Sequence, residues 1–321
     1  MGWATLSADD RGYNDVTVVV PTLNEEKAIG AVIDELLSVG IPRERILVVD
    51  GYSTDRTREI AGSKGVRVVL QEGRGKAAAV KTALRYIDTP YTVLVDGDYT
   101  YPANYIPEML EKARKGCDWV GGARVKAEPG AQSLIYKLGN RVLTRLFNLL
   151  FGTKLRDVLT GLYLVRTDVL HEVDFEFHGF SVESEIAAHM ASQGYRVCEV
   201  PILYRRRLDP RKKLGILHGP QIARDMIRLA WRYNPAFLIF ILGALLLAPG
   251  IALGGYVAYK YLVYGVKHHV KALIATTTMT LAGFNSPPGS AKPLPEEDGD
   301  KDYEETPGKD GLEHPEVQLR Y

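Results

Sequence analysis

Two carboxylates, one residue apart, close an apolar run in the stretch TVLVDGDYTYP, Thr92 to Pro102. Val93, Leu94 and Val95 read as a buried strand, and Asp96 and Asp98 follow it with Gly97 between them. Like charges this close raise each other's pKa unless a cation or several donors stabilise them. A turn would account for Asp and Gly here. The chemical alternative is a site for Mg2+ or Mn2+, since Mg2+ binds through one or two carboxylates plus substrate phosphates and waters. Asp98 would then hold the ion. Asp96 would share it or accept from a ribose hydroxyl, and Gly97 would let the backbone come close to a nucleotide.

Further groups of this kind follow other apolar runs. Asp50 ends ILVVD and could accept from a base or ribose, or cap a turn together with Ser53. Glu25, in PTLNEE, has a plain reading as a first-turn helix acid. EGRGKAAA, Glu72 to Ala79, is a glycine-rich turn opening a helix, able to approach a diphosphate with Lys76 beside it. It lacks the GxxxxGK[ST] spacing of an ATPase loop. Cys117 and Cys198 form no CxxC pair. They read as buried thiols in a reducing compartment, not as a disulfide framework or a zinc site.

The elements that must position these groups alternate. Strands are predicted at 16–20, 45–49, 66–70, 91–95 and 118–120, with helices at 25–39, 54–64, 76–86 and 105–115. Such alternation gives an α/β fold with a mostly parallel, Rossmann-like sheet. Ligands of these sheets bind beyond the carboxyl ends of the strands. PTLNEE, DGYSTD and DGD all fall at such ends.

Charge and hydropathy divide the rest of the chain. Its 321 residues carry a net charge of +1, but ten acids against four bases from Pro287 onward leave that tail at −6 and the remainder at +7. A basic body suits anionic partners. The acidic, Pro- and Gly-rich tail, 285–321, reads as disordered, and 1–15 as a polar arm. SLIYKLGNRVLTRLFNLLF sets Lys137, Arg141 and Arg145 on one helical stripe, which fits a solvated helix face or a membrane surface. Asn234 to Tyr259 is 26 residues without a charge. As a helix it spans roughly 39 Å, enough to cross a hydrocarbon core of about 30 Å. A second apolar run, Ala272 to Phe284, is only 13 residues and would close a hairpin or lie in the interface. Arg224, Arg228 and Arg232 stripe the segment 218–234 as a second basic interface helix. Nine Lys or Arg residues between Pro201 and Asn234, against three in the loop after the span, place the large domain, 16–217, on the cytoplasmic side. Basic residues beside a membrane run argue against nucleic acid as the partner.

The ordered set VVVPTLNEE, VVDGYSTDRT, GRGKAAAV, LVDGDYTYP, DVLTGLYLVR and GYRVCEVPI resembles the family 2 glycosyltransferases, and among them the dolichyl- or polyprenyl-phosphate sugar synthases. The resemblance implies a GT-A fold followed by interface helices and one or two C-terminal transmembrane helices. It also implies a nucleotide-sugar donor and a divalent metal. By position, Pro21, Leu23 and Glu25 would line the base pocket with Asp50. Asp96, Gly97 and Asp98 would form the metal and ribose site. Arg124 in GGAR would face the phosphates. Arg207 and Lys213 stand eight and fourteen residues beyond Glu199, where the family places an Arg and a Lys. Arg141 joins them as a candidate for the acceptor phosphate. Asp157, in RDVLTG, matches a family Asp near the reaction centre. Thr100 and Lys212 depart from the usual Gln and Ser.

The implied reaction is inverting transfer of one sugar, from a GDP-mannose or UDP-glucose/GlcNAc type of donor, to dolichyl or polyprenyl phosphate at the bilayer. A phosphomonoester is already anionic near pH 7. It therefore needs no strong base, which fits the lack of a histidine-based pair. Two alternatives stand beside this. One is transfer to a saccharide or other hydroxyl, with Asp157 or Glu185 as base. The other is an inactive nucleotide-sugar-binding membrane scaffold.

Overall fold

The computed structural model describes residues 12–175, 182–209 and 218–284. The predicted arm before Gly12, the acidic tail, and Lys212, Lys213 and Leu214 lie outside the described residues. Strands β1 (Val16–Thr22), β2 (Ile46–Asp50), β3 (Arg67–Leu70) and β4 (Tyr91–Val95) alternate with α1 (Ile29–Val39), α2 (Thr57–Ser63) and α3 (Lys76–Leu84), and α4 (Ile106–Arg114) follows β4. These lie within a few residues of the expected bounds. Pairing among the four strands is parallel throughout. Side chains alternate across the sheet: Val18 and Val20 join the core under α1 and α4, whereas Val19 joins the opposite core. Valine runs buried on both faces are what a covered parallel sheet requires.

The second half brings elements that the strand pattern alone does not anticipate. β5 (Trp119–Ala127) is nine residues long, and β6 (Leu162–Arg166) and β7 (Val197–Tyr204) complete the sheet. The strand order is β3-β2-β1-β4-β6-β5-β7. β6 runs antiparallel to both β4 and β5, and β5 pairs with β7 in parallel. Helices α5 (Leu134–Phe151), α6 (Thr167–Glu172) and α7 (Val182–Ser192) belong to this half. The order reverses at β1 and β4, which opens a crevice beyond their carboxyl ends.

The β5–β7 pairing also corrects the reading of the cysteines. Val120 stands opposite Cys198, so Cys117 comes to a Cα separation of 6.0 Å from it, and the two form a disulfide. Eighty-one residues separate them in sequence, and spacing alone does not foretell the pairing.

Three helices end the described chain: α8 (His218–Tyr233), α9 (Pro235–Tyr264) and α10 (His269–Phe284). α8 buries Ile222, Met226, Leu229 and Ala230 in the core and turns Arg224, Ile227, Arg228 and Trp231 outward. One residue, Asn234, separates it from α9. The Asn234 side chain donates to the Leu150 carbonyl at the end of α5, 2.8 Å away. α9 is thirty residues long, and only 6 % of its most apolar stretch is buried within the protein. It is long and apolar enough to cross a membrane, and it is not a core helix. The second apolar run folds back as α10. A Cβ on Gly250 would lie 2.7 Å from Thr278 Oγ1, so the two helices meet closely there.

Candidate active site

A cleft of about 1100 Å3 opens at the crevice between β1 and β4. Asp96, Gly97 and Asp98 line it from the end of β4, and Pro21, Leu23 and Glu25 from the end of β1. Gly51 and Tyr52 reach it after β2, and Lys76 enters from the first turn of α3. Arg124 on β5 and Arg207 after β7 supply positive charge from the other half of the sheet. Asn24, Tyr52 and Tyr99, following β1, β2 and β4, all adopt left-handed backbone with φ of 52°, 66° and 68°. Non-glycine residues with positive φ are uncommon, and such strain gathers at functional sites.

The acidic pair is held differently at its two members. Asp98 is buried. Its Oδ1 accepts from the Thr100 N–H at 3.0 Å and the Thr100 hydroxyl at 2.6 Å. Its Oδ2 takes both Nε, at 3.0 Å, and Nη2 of Arg207. Burial works against the Arg207 charge, but Asp98 more than reverses this and raises its pKa. Asp96 keeps about a third of its side chain exposed, at 32 %, and accepts from Lys76 Nζ at 2.6 Å. Burial, with repulsion from Asp98 and Glu183, pushes its carboxyl above the ordinary aspartate value, and Lys76 offsets part of the rise. Lys76 also pairs with Glu183 on α7. Burial alone would lower the Lys76 pKa. Asp96 and Glu183 instead hold it well above the usual lysine range.

Two glycines make room for this arrangement. A Cβ on Gly161 would stand 2.0 Å from Asp96 Oδ2. A Cβ on Gly97 would stand 2.8 Å from Thr22 Cγ2. Asp96 is thus packed against bare backbone, and its own N–H donates to the Gly161 carbonyl at 3.1 Å.

Arg124 is locked to Asp157. Nε and Nη2 donate to the two carboxylate oxygens at 2.6 and 2.8 Å, and Nη2 also reaches the Leu159 carbonyl at 2.8 Å. Asn140 of α5 donates to the same carboxylate at 3.0 Å. Burial raises the Asp157 pKa, yet Arg124 and Asn140 outweigh it and hold the carboxyl below the usual range. Asp157 does not line the cleft; it orients the arginine that does. Asp50 does not line it either. It accepts from Ser53 N–H at 2.8 Å, Ser53 Oγ at 2.5 Å and Thr22 Oγ1 at 3.2 Å, the geometry of a turn cap. Glu25 precedes α1 instead of opening it, and its carboxylate lies 3.9 Å from Arg207. Arg141 is exposed on α5, away from the cleft lining, and Lys213 lies outside the described residues.

Glu183 is the acidic residue that sequence reasoning missed. Glu185, two positions on, is fully buried and does not line the cleft, whereas Glu183 does. Only the register of α7 distinguishes the two, because both stand in one VESE tetrapeptide.

Asp96 and Asp98 suit a divalent ion by the chemistry of their donors. They offer hard carboxylate oxygens one residue apart at the cleft floor. Among the described residues no group of three or more such side chains gathers. Two carboxylates leave the remaining positions to phosphate oxygens and water, the usual division for Mg2+.

A parallel sheet reversing at β1 and β4, with an antiparallel strand beside it and an acidic pair at the crevice, defines a GT-A-like glycosyltransferase. Residues 17–174 match glycosyl transferase family 2, and the chain belongs to that family. It is 35 % identical over 269 residues to glycosyltransferase AglJ of Haloferax volcanii, covering 81 % of this chain and 86 % of that one. It is 34 % identical over 217 residues to the dolichyl-phosphate hexose transferase of the same organism, covering 68 % and 94 %. Among solved structures it resembles glucosyl-3-phosphoglycerate synthase of Mycobacterium tuberculosis in complex with Mn2+, UDP and phosphoglyceric acid. There the TM-score is 0.57 at 22 % identity, over 73 % of this chain and 83 % of that one, a likeness of fold.

Proposed function

We propose that this glycosyltransferase moves one hexose from a nucleoside diphosphate to a dolichyl or polyprenyl phosphate, with inversion, at the cytoplasmic face of a membrane. One observation carries the reading. The cleft that holds Asp96 and Asp98 is also lined by Tyr136 of α5 and Ile222 of α8, and α8 leads directly into α9. Donor groups and a membrane-ready surface thus share one cavity. The outer face of α5 supports this: Leu134, Ile135, Leu138 and Val142 are all more than half exposed, beside Lys137, Arg141 and Arg145. An exposed apolar stripe flanked by bases suits an anionic lipid surface. The named activity of the Haloferax dolichyl-phosphate hexose transferase supports the acceptor.

In this reading a phosphate oxygen of the lipid attacks the anomeric carbon, a new C–O bond forms, and the bond to the diphosphate breaks with its electron pair. The nucleophile is already an anion, so no residue has to take a proton. Asp96 and Asp98 would hold Mg2+ or Mn2+, which when bound neutralises charge on the diphosphate. Arg124, fixed by Asp157, and Arg207 hold two anionic reactants together against their repulsion. Lys213 and Arg141 are assigned to the acceptor phosphate as well.

The test is a donor panel. Membranes containing the full chain are incubated with UDP-glucose, UDP-GlcNAc or GDP-mannose, Mn2+ or Mg2+, and polyprenyl phosphate. Release of nucleoside diphosphate that depends on the lipid phosphate is expected for one donor. Release that instead follows addition of a free saccharide would overturn the acceptor assignment.

A further inference from the structure

Glu199 has no part in the reaction above, yet the hydrogen bonds that start from it end at an arginine of the cleft. It stands half-buried on β7, the last strand of the sheet, opposite Gly121 of β5, and it does not line the cleft. Its carboxylate meets the loop between α5 and β6. Oε1 accepts from the backbone N–H of Arg156 at 2.9 Å and of Asp157 at 3.1 Å, and Oε2 accepts from the Arg156 N–H at 3.0 Å. Burial pushes the Glu199 carboxyl above the ordinary glutamate value, and the two N–H donors pull it part of the way back. Lys112, Lys154 and Arg156 line a separate cavity of about 450 Å3 with it and supply positive charge there. Bonds from a backbone N–H to an ionised carboxylate are among the stronger kinds. Residues 156 and 157 are therefore fixed to β7.

Asp157 in turn holds Arg124, taking its backbone N–H at 3.1 Å as well as its guanidinium. Arg124 stands on β5, which pairs with β7. Arg124, Asp157, Glu199 and the two paired strands thus close a ring. α5 reaches the same loop from the other side. Asn140 donates to the Asp157 carboxylate, Asn148 accepts from the Leu155 N–H at 3.0 Å, and Thr144 accepts from the Val158 N–H at 3.4 Å. A loop held by α5 alone would follow that helix, whose outer face is exposed and apolar. Glu199 ties it instead to the sheet that carries Arg124. We propose that Glu199 is a positioning residue: by fixing the Asp157 backbone to β7, it sets where the Arg124 guanidinium stands in the cleft, and with it the grip on reactant phosphate. This rests on the proposed phosphate role of Arg124 and deepens that reading. A misplacement of about 1 Å, caused far from the chemistry, can cost about 100-fold in rate.

The test reads Arg124 directly and then the reaction. The full chain, with 15N-labelled arginine, is placed in lipid nanodiscs, and the Nε–H signal of Arg124 is identified by its loss in Arg124→Lys. Glu199→Ala is expected to shift or broaden that signal while the other arginine signals stay in place. Glu199→Asp, which withdraws the carboxylate by one methylene, should do the same, and it decides the matter if Glu199→Ala does not fold. Glu199→Gln should restore the signal, because one amide oxygen in the place of Oε1 can accept from both N–H groups. An Arg124 signal that stays put in Glu199→Ala and Glu199→Asp would overturn the proposal. In turnover, Glu199→Ala should lower kcat/KM for polyprenyl phosphate by about 10- to 100-fold, and Glu199→Gln should recover most of the loss. In an Arg124→Gln background, Glu199→Ala should cost nothing further, since two residues that act through one contact are not additive. An equal loss in both backgrounds would show that Glu199 serves the fold alone, and would also overturn the proposal. Absence of sugar transfer by the unaltered chain would instead remove the proposed function, while the Arg124 signal would still decide the positioning.

Discussion

The two halves of the sheet solve the same problem, holding charge at a strand end, by opposite means. In the parallel half, β3-β2-β1-β4, the buried acid Asp50 is satisfied by near neighbours: Ser53 three residues on and Thr22 on the next strand. Within the mixed half, β6-β5-β7, and between it and the parallel half, charges are satisfied by one another over long separations. Arg124 meets Asp157 across 33 residues, Asp98 meets Arg207 across 109, and Lys76 meets Glu183 across 107. Local hydroxyl caps make a rigid floor that tolerates change around it. Long-range ion pairs make a floor that depends on the whole fold. Removing one partner leaves the other buried and unpaired, which is far more destabilising than losing the pair as a unit.

Variants can break that contrast, and the largest effect is expected at Asp98, where the halves meet. Asp98→Ala should lower turnover by about 10^3-fold or more, the scale of losing a main electrostatic group. Full activity of this variant in the presence of chelator would remove Asp98 from the site. Next comes Asp157→Ala, which strands the Arg124 guanidinium and should lower unfolding stability by on the order of 3 kcal/mol. Asp50→Asn, inside the hydroxyl-capped turn, should be milder; denaturant midpoints for both variants check the order. The Asp157 pair also sets a pH limit. Its folded pKa lies below the unfolded value, so its contribution is present above about pH 4 and is lost as pH falls through the folded pKa. Stability of the unaltered chain should drop below about pH 4, and Asp157→Asn should flatten that drop.

Reduction of the Cys117–Cys198 bond sharpens the comparison further, since it ties the start of β5 to β7. Closing so long a loop contributes about 4.5 kcal/mol in the chain-entropy account. Unfolding free energies with and without reductant should differ by about that amount, and a denatured, unreduced sample should show no reactive thiol. Smallest in folding energy is the outer face of α5. Leu134→Gln with Leu138→Gln should change stability by less than about 0.5 kcal/mol, because both are exposed. The same variant should bind anionic vesicles more weakly once α9 is deleted; equal binding would deny the face a membrane role.

The contrast also governs what the sequence made legible. β1 to β4 announced themselves because each is a short valine-rich run followed by polar residues and a helical period. The acidic pair was visible because its chemistry is written in three adjacent residues. β6 and β7 were not anticipated as strands: β6 precedes a helix of only six residues, and β7 carries a proline, Pro201, within it. Gly161 carried no signal, since its reason is an aspartate sixty-five positions earlier pressed against its backbone. Glu183 and Glu185 could not be told apart without the helix register. The disulfide was misread because pairing of β5 with β7 is a property of the finished sheet. In each case the missing information is a contact between distant segments, which local spacing does not encode.

The junction at Asn234 has a mechanical meaning. With one residue between α8 and α9, and that residue tied to the end of α5, the globular portion has almost no slack relative to the long helix. In the proposed membrane placement, tilting of α9 to match a thinner or thicker bilayer would be handed through α8 to Ile222 at the cleft wall. On that placement, catalysis should respond to the acyl length of the host lipids, as an instrument on a rigid stem responds to the depth of its socket.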